Sequence, residues 1–286
     1  MIKFGPSGNS VRFYEEGGKS TTDAAKWVAD NGLDYFEYSF SRGVNMGEAK
    51  ALEIKKAFES ENVGISVHAP YYINLANPDD VKAQNSFNYI LTSAYMCQKM
   101  GGNRIIFHPA SVGKESREVA LSRTIDRFKI LSDLIYESHL ENLYFCPETM
   151  GKLNQIGTIE EVVEFCKIED FYLPTIDFGH INAREQGSLK EKADYKIRLE
   201  YMLEHLGMEK MKHFHVHFSK IQYTAKGELK HLTFTDDIFG PEFEPLAEAL
   251  IELDLEPIII CESDGTQADD AIYMKKAYNK ILAKRR

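Results

Sequence analysis

The sequence has few features that would place the protein in a membrane or among disulfide-stabilised folds. Its 286 residues include four cysteines with no C-x-x-C spacing, so we expect free thiols and no structural zinc knuckle. No stretch approaches the roughly 18 consecutive apolar residues of a membrane helix. The N-terminal MIKFGPSGNS lacks the basic and apolar parts of a leader. We therefore expect a cytoplasmic location, with no membrane contact and no implied protein partner.

A surplus of basic residues and a long Pro/Gly/Ser-rich linker are also missing. The 34 Lys and Arg against 44 Asp and Glu give a net charge of -10, which argues mildly against a general nucleic-acid binder. Bound divalent cations are not part of that count, so net charge does not decide the substrate. With 43% hydrophobic residues and no linker, the chain is predicted to form one domain, residues 1–286.

Short β-type runs alternate along the chain with amphipathic segments of helical period. The eight runs are Ile2–Gly5, Tyr35–Tyr38, Ile65–Ala69, Arg104–His108, Leu143–Glu148, Tyr172–Asp177, His213–Phe218 and Pro257–Glu262. The longest predicted helices are Asp79–Met100, Ser116–Ser138 and Leu189–Leu206. Eight strand–helix units predict an α/β fold, a single (β/α)8 TIM barrel, whose active face is the C-terminal end of the strands.

Residues of the metal-ligand type recur where these strands end. The segments SVHAP, IIFHP, CPET, TIDFGH, FHVHF and IICES supply His68, His108, Glu148, Asp177, His180, His215 and Glu262. One such residue would be an ordinary polar group at a barrel rim, but seven predict a shared site. Imidazole combined with carboxylate suits zinc, manganese or iron.

Strand seven offers three histidines on one face. In KHFHVHFS, His213, His215 and His217 are two residues apart and should all point into the barrel. We expect His215 to be the metal ligand. His213 and His217 are then core or hydrogen-bonding residues.

Six segments taken in order resemble the motifs of a known family. HAPYYINLANP, FHPAS, CPETMGK, TIDFGHINA, HVHFSK and ICESDG are similar to those of endonuclease IV, the metal-dependent apurinic/apyrimidinic endonuclease family among the xylose-isomerase-like barrels. The resemblance runs from the first strand to the last. It implies hydrolysis of damaged double-stranded DNA on the 5′ side of an abasic site, with three metal ions that are usually zinc.

The resemblance also implies residue roles. The ligands would be His68 and His108 at one ion, Glu148 as a bridge to a second, Asp177, His215 and Glu262 at that second ion, and His180 and His231 at a third. Glu148 and Glu262 would be the catalytic carboxylates, Glu262 also orienting the attacking water. Arg42, Tyr71 and Tyr72 would contact the duplex at the lesion, although two adjacent tyrosines can also simply cover the barrel top.

The third ion site departs from the family pattern. The family has an Asp-x-His pair there, whereas this chain reads Leu229-Lys230-His231. Glu228, one residue earlier, can substitute if the loop shifts, and Asp236 or Asp237 is a more remote candidate. We therefore expect two or three Zn2+ ions, with Mn2+ or Fe as alternatives.

Two other functions fit part of the pattern. Sugar isomerases and epimerases of the same barrel group bind one divalent ion between two acids, an aspartate and a histidine. Glu148, Asp177, His215 and Glu262 would satisfy that pattern, which leaves His68, His108 and His180 without a role. A non-catalytic relative that binds metal or damaged DNA is the third possibility. Metal stoichiometry separates the first two functions, and nicking of an abasic duplex separates the endonuclease from the non-catalytic relative.

Overall fold

The computed structural model describes residues 1–41 and 43–285, and it confirms the predicted barrel. The eight barrel strands are β1 (Lys3–Pro6), β2 (Tyr35–Ser39), β3 (Gly64–His68), β4 (Arg104–Phe107), β6 (Tyr144–Pro147), β8 (Thr175–Asp177), β9 (His215–Phe218) and β12 (Ile258–Cys261). Four further strands lie in loops: β5 (Ala110–Ser111), β7 (Gln155–Ile156), β10 (Ile221–Thr224) and β11 (Gly227–His231).

The barrel strands are parallel and join in two groups of four. One group has the order β1-β12-β9-β8 and the other β2-β3-β4-β6. Bridges between Ser7 and Glu37 and between Glu148 and Thr175 connect the two groups and close the barrel. Closure leaves no free sheet edge among these strands.

Helices cover the outside of the barrel. The helices are α1 (Val11–Glu15), α2 (Thr21–Asp30), α3 (Glu48–Ser60), α4 (Asp80–Lys99), α5 (Arg117–Glu137), α6 (Ile159–Cys166), α7 (Phe178–Arg184), α8 (Lys192–Met211), α9 (Phe243–Glu252) and α10 (Gln267–Arg285). The short helix α7 differs from the others, because it packs against the β10–β11 hairpin and β9. The cap residue Asp79 accepts from the Val81 amide at 2.9 Å, and Ser116 caps α5 in the same way. Apolar helix faces pack on the barrel, as in the stacked pair Phe128 and Phe165, whose ring centroids are 4.4 Å apart.

Alternation along the strands fills the barrel interior in layers. Apolar clusters of Ile106, Cys146 and Leu173 and of Tyr35, Ile258 and Ile260 occupy much of it. A buried polar set, Glu37, Ser66 and His215, lies among them. The layer at the C-terminal strand ends carries His68, His108, Glu148, Asp177, His217 and Glu262. The strand register therefore converts positions far apart in the sequence into one ring of ligand-type side chains.

All four cysteines are buried and free, as their spacing predicts. Within residues 1–41 and 43–285, none of the helices is both long and apolar enough to cross a bilayer.

Candidate metal centre

Three groups of ligand-type side chains adjoin at the C-terminal end of the barrel. They are His68 with His108 and Glu148; Glu148 with Asp177, His217 and Glu262; and His180 with Glu228 and His231. Within each group the ligand atoms lie within 4.8 Å of one another. A cavity of about 700 Å³ opens above them and is lined by members of all three groups. Each group offers the number and kind of donors that zinc or manganese takes from proteins.

Glu148 lies at the centre of these groups, and each of its two carboxylate oxygens faces a different pair of histidines. Oε2 lies 3.3 Å from Nε2 of His68 and 3.2 Å from Nε2 of His108. Oε1 lies 3.0 Å from Nδ1 of His217 and 3.4 Å from Nδ1 of His180. Burial alone would raise the pKa of Glu148, but His217 and the other histidines hold that pKa well below its ordinary value. A carboxylate that stays ionised and faces two groups has the geometry of a bridge.

Several of the histidines are oriented through one ring nitrogen. Nδ1 of His68 is 2.8 Å from the carbonyl oxygen of Ala69, and Nδ1 of His180 is 2.9 Å from that of Thr149. These contacts leave Nε2 of His68 toward Glu148 and Nε2 of His180 toward Glu228, the latter at 3.4 Å. Fixing one nitrogen in this way presents the other as a ligand.

The structure places His217, not His215, beside the acidic ligands, which corrects the expectation for strand β9. The register pairs His217 with Asp177, the last residue of β8, and pairs His215 with Thr175 one layer deeper. His215 instead lies with Nε2 3.0 Å from Oε2 of Glu37. Burial lowers the pKa of His215 to about 4, so its ring is neutral at pH 7. The ligand-type histidine is therefore the last inward-facing one before the loop.

Glu37 was missing from the candidate residues. It is fully buried in β2 and contacts both His215 and His217. The available signal was an acid among the aromatic residues of YFEYSF, because burying a charge in a strand is costly unless it has polar partners.

The surroundings of the Asp177 carboxylate bear on whether the second group can hold a cation. Its Oδ1 caps α7 by accepting from the backbone amide of His180 at 2.7 Å, whereas Oδ2 is buried without a hydrogen-bond partner among the described residues. Burial raises the pKa of Asp177 to about 6, against the opposing influence of His180. Oδ2 lies 3.4 Å from Nδ1 of His180, which already contacts the Thr149 carbonyl, so this carboxylate oxygen has no hydrogen bond that a bound cation would have to displace.

The hairpin β10–β11 supplies the third group by means of a β-bulge. Ile221 pairs with His231, Gln222 with Lys230 and Tyr223 with Glu228, so Leu229 has no partner. In a regular strand residues 228 and 231 would face opposite sides, but one extra residue resets the alternation. Glu228 thus joins His180 and His231 in one group, whereas Leu229 also lines the cavity but is about half exposed. Nδ1 of His231 lies 2.8 Å from Oγ of Ser219, which leaves its Nε2 for a ligand.

Close backbone contact holds this hairpin against the loop after β6. Gly227 has φ +90°, and a Cβ there would lie 2.2 Å from the carbonyl oxygen of Gly151. We expect Gly227→Ala to displace Glu228 and to remove one bound ion while leaving the barrel folded. Gly32→Ala is the matched control, because Gly32 has φ +71° with nothing within 4 Å of a Cβ, so it carries the backbone cost of about 1–2 kcal/mol without the clash.

Metal content by elemental analysis and thermal unfolding would be compared for the two variants. Equal ion counts in both would contradict the role of this contact.

The structure separates the two tyrosines that the sequence treats alike. Tyr71 lines the cavity, and its ring centroid lies 5.2 Å from that of His68 and 5.3 Å from that of His108. Both side chains are exposed, but Tyr72 is not among the residues that line the cavity, and its ring centroid lies 6.2 Å from that of Tyr89. Arg42, the other predicted substrate contact, lies outside the described residues.

The lysines near the site also differ in whether they line the cavity. Lys152 and Lys230 line the cavity. Lys220 is buried and donates to the Asp236 carbonyl and to Glu242, each at 2.7 Å. Lys152 and Lys230 therefore lie at the cavity, whereas Lys220 is held by its two acceptors.

Comparison with known proteins identifies the family. Residues 25–278 match the model of the xylose isomerase-like TIM barrel. The chain belongs to this family. An uncharacterized protein of Methanocaldococcus jannaschii is 34% identical over 281 residues, 98% of each chain. A probable endonuclease 4 of Mycoplasma genitalium is 32% identical over 106 residues, which cover 37% of this chain and 35% of that protein.

Solved structures of xylose isomerase-like barrels share the fold over nearly the whole chain. Endonuclease IV from Thermus thermophilus aligns with a TM-score of 0.67 and 14% identity, covering 99% of each chain. A D-tagatose 3-epimerase-like protein aligns with a TM-score of 0.71 and 19% identity, also covering 99% of each. The predicted resemblance to endonuclease IV is confirmed. At identities of 14% and 19%, however, the two structural alignments establish only a shared fold. The choice between endonuclease and epimerase depends on the site.

Proposed function

We propose that this protein is a metal-dependent endonuclease that cuts DNA on the 5′ side of abasic sites. The observation that carries the proposal is the third group, His180, Glu228 and His231, directly beside the other two. A sugar epimerase would need only the group of Glu148, Asp177, His217 and Glu262. The third group and the pair His68 and His108 would then have no task, whereas a phosphodiesterase uses additional cations on the attacking and leaving oxygens.

Glu148 and Glu262 would have different roles in this reaction. Glu148 would hold two ion positions at a fixed separation through its two oxygens. Glu262 lines the cavity, has one oxygen 3.5 Å from His217 and accepts from the Ser7 hydroxyl at 3.4 Å with the other. In that position its carboxylate would accept a hydrogen bond from the attacking water and hold it toward phosphorus. When bound, the ions would lower the pKa of that water and neutralise charge on the phosphate.

Lys152 and Lys230 would add positive charge at the cavity wall, where a DNA backbone would pass. The same wall carries Glu228, Glu262 and Asp264, so bound cations are needed to make the cavity attractive to a phosphate. Damaged double-stranded DNA is the proposed partner, because a missing base lowers the cost of bringing the sugar-phosphate into a recessed site.

The deciding experiment compares two substrates on metal-replete protein. An end-labelled duplex with one abasic site should be nicked once, 5′ to the lesion, with zinc or manganese, and the same duplex without the lesion should stay intact. Interconversion of ketohexoses would be measured on the same preparation. Sugar interconversion without nicking, in protein shown to hold two ions or more, would overturn the proposal in favour of an epimerase.

Tyr71 and Tyr72 should differ in their effect on DNA binding. Tyr71→Ala is expected to weaken binding of an abasic duplex about 10-fold, since loss of one aromatic–base contact costs roughly 1–3 kcal/mol. Tyr72→Ala should change binding less than about 3-fold, which corresponds to less than about 0.7 kcal/mol and so falls below that range, because Tyr72 is not among the residues that line the cavity. Fluorescence anisotropy with a duplex bearing a phosphorothioate at the cut position would measure both, with metal content as a control. Equal losses in the two variants would show that the cavity is not the lesion site.

A further inference from the structure

A buried carboxylate lies directly beneath the candidate metal centre and has no task in the proposed reaction. Glu37 belongs to β2, is fully buried and lies between His215 and His217. Its Oε2 accepts from the Ser66 hydroxyl at 2.9 Å and lies 3.0 Å from Nε2 of His215. Burying a carboxylate is costly unless several donors surround it, so this set of partners calls for an explanation.

The remaining oxygen of Glu37 faces His217. Oε1 lies 2.9 Å from Nε2 of His217, within hydrogen-bond distance though not aligned for a hydrogen bond. Neither atom has another hydrogen-bond partner among the described residues. Buried polar atoms are rarely left unpaired, and each of these two atoms can satisfy the other.

The opposite side of the same ring faces the metal centre. Nδ1 of His217 lies 3.0 Å from Oε1 of Glu148 and 3.5 Å from Oε2 of Glu262. His217 is thus turned the other way from His68 and His180, whose Nδ1 atoms contact backbone carbonyls. A carboxylate is a stronger acceptor than a carbonyl, and it makes the opposite ring nitrogen a better electron donor.

We propose that Glu37 is a positioning residue that keeps Nε2 of His217 protonated and directs Nδ1 toward the ion shared with Glu148, Asp177 and Glu262. Ser66 and His215 hold the Glu37 carboxylate in place, so His215 supports the centre without binding metal. The proposal rests on the proposed function only in requiring a cation at that group. It explains why strand β9 carries two buried histidines one layer apart.

Glu37→Gln is the central test, because the amide keeps the size of the side chain while replacing one acceptor by a donor. That NH2 group would face Ser66, His215 or His217, each of which needs an acceptor. We expect one of the bound ions to be held about 10- to 100-fold more weakly, the range found when an outer partner of a metal-binding histidine is lost. The other ions should keep their affinity.

Cobalt-loaded protein gives a readout that a purely structural role would not move. The visible absorption of Co2+ in Glu37→Gln should change for one ion position, while Glu37→Asp should recover part of the wild-type spectrum. Ser66→Ala, which removes one of the two hydrogen bonds to Oε2 of Glu37, should weaken the same ion only a few-fold. Circular dichroism would establish that each variant is folded.

The tautomers can be read directly in wild-type protein. Long-range 1H–15N spectra of the zinc form should show His217 protonated at Nε2 and ligated at Nδ1, and His215 protonated at Nε2 with no ligand. If Glu37→Gln does not fold, these spectra and the Ser66→Ala variant decide the question.

Three results would overturn the proposal. The first is wild-type affinity and an unchanged cobalt spectrum in folded Glu37→Gln. The second is a ligated His215. The third is an additional ion held by Glu37, His215 and His217 themselves, which also lie close enough to form such a group. Wild-type protein that binds no cation at all would refute the metal centre, and with it the proposed function, before Glu37 is tested.

Discussion

Replacing Glu148 by glutamine is expected to lower the nicking rate by at least about 100-fold, equivalent to about 2.7 kcal/mol of transition-state stabilisation. The reason is that both oxygens of Glu148 face histidines of candidate ion positions, at 3.0–3.4 Å. The amide would present an NH2 group to one of these positions and carry no charge to either. Single-turnover nicking and elemental analysis would measure the loss of rate and of bound metal together.

The control for Glu148→Gln is a neutralised carboxylate away from the cavity. Glu252 pairs with Lys192 and Lys196 between helices, so Glu252→Gln removes the same charge without touching the centre. Its rate and metal content should equal those of the wild type. A Glu148→Gln variant with more than a tenth of the wild-type rate, a barrier change below about 1.4 kcal/mol, would exclude a bridging role.

Glu228→Gln is expected to reduce the bound ions by one and to slow nicking by about 10-fold or more, a barrier change of roughly 1.4 kcal/mol. Glu228 lies 3.4 Å from Nε2 of His180 and is the carboxylate of the third group. The pKa of Glu228 is lowered: burial would raise it, but His180 and Lys152 outweigh that effect, so the side chain is ionised and ready to bind a cation. Ion counts before and after dialysis, together with nicking rates, would test this expectation.

Leu229→Asp provides the contrast to Glu228→Gln. The family pattern suggests that an aspartate here would complete the third site, but the bulge gives that place to Glu228. We therefore expect Leu229→Asp to leave the ion count unchanged, alone or combined with Glu228→Gln. Recovery of the third ion in the double variant would show that residue 229 can reach the site and that the bulge does not define it.

The barrel could be predicted from the sequence because its signals are local. Most strands are short apolar runs between turn residues, and the long helices α4 and α5 start at the capping residues Asp79 and Ser116. The convergence of His68, His108, Glu148, Asp177 and Glu262 could also be anticipated, because the C-terminal ends of barrel strands meet at one face.

What escaped the sequence depends on register between strands. The pattern H-x-H-x-H shows which residues point inward but not how deep each one lies, and pairing of Asp177 with His217 settles that depth. The contacts of Glu37 could not be predicted, because its hydrogen-bond partners Ser66 and His215 lie about 30 and 180 positions away in the sequence. The bulge at Leu229 likewise depends on how β11 pairs with β10, so the spacing Glu-x-x-His could not by itself indicate a shared face.

The β10–β11 hairpin carries two of the three residues of the third group, separately from the barrel strands. Glu228 and His231 belong to a two-stranded hairpin outside the eight-stranded sheet. The residues of the two inner groups lie at the ends of the barrel strands. Under the proposed function, exchange or loss of this one hairpin would remove the third cation site and leave the residues of the two inner groups in place. Under that function the number of cation sites depends on a loop and not on the core, so a change in that number would not require the core to be rebuilt.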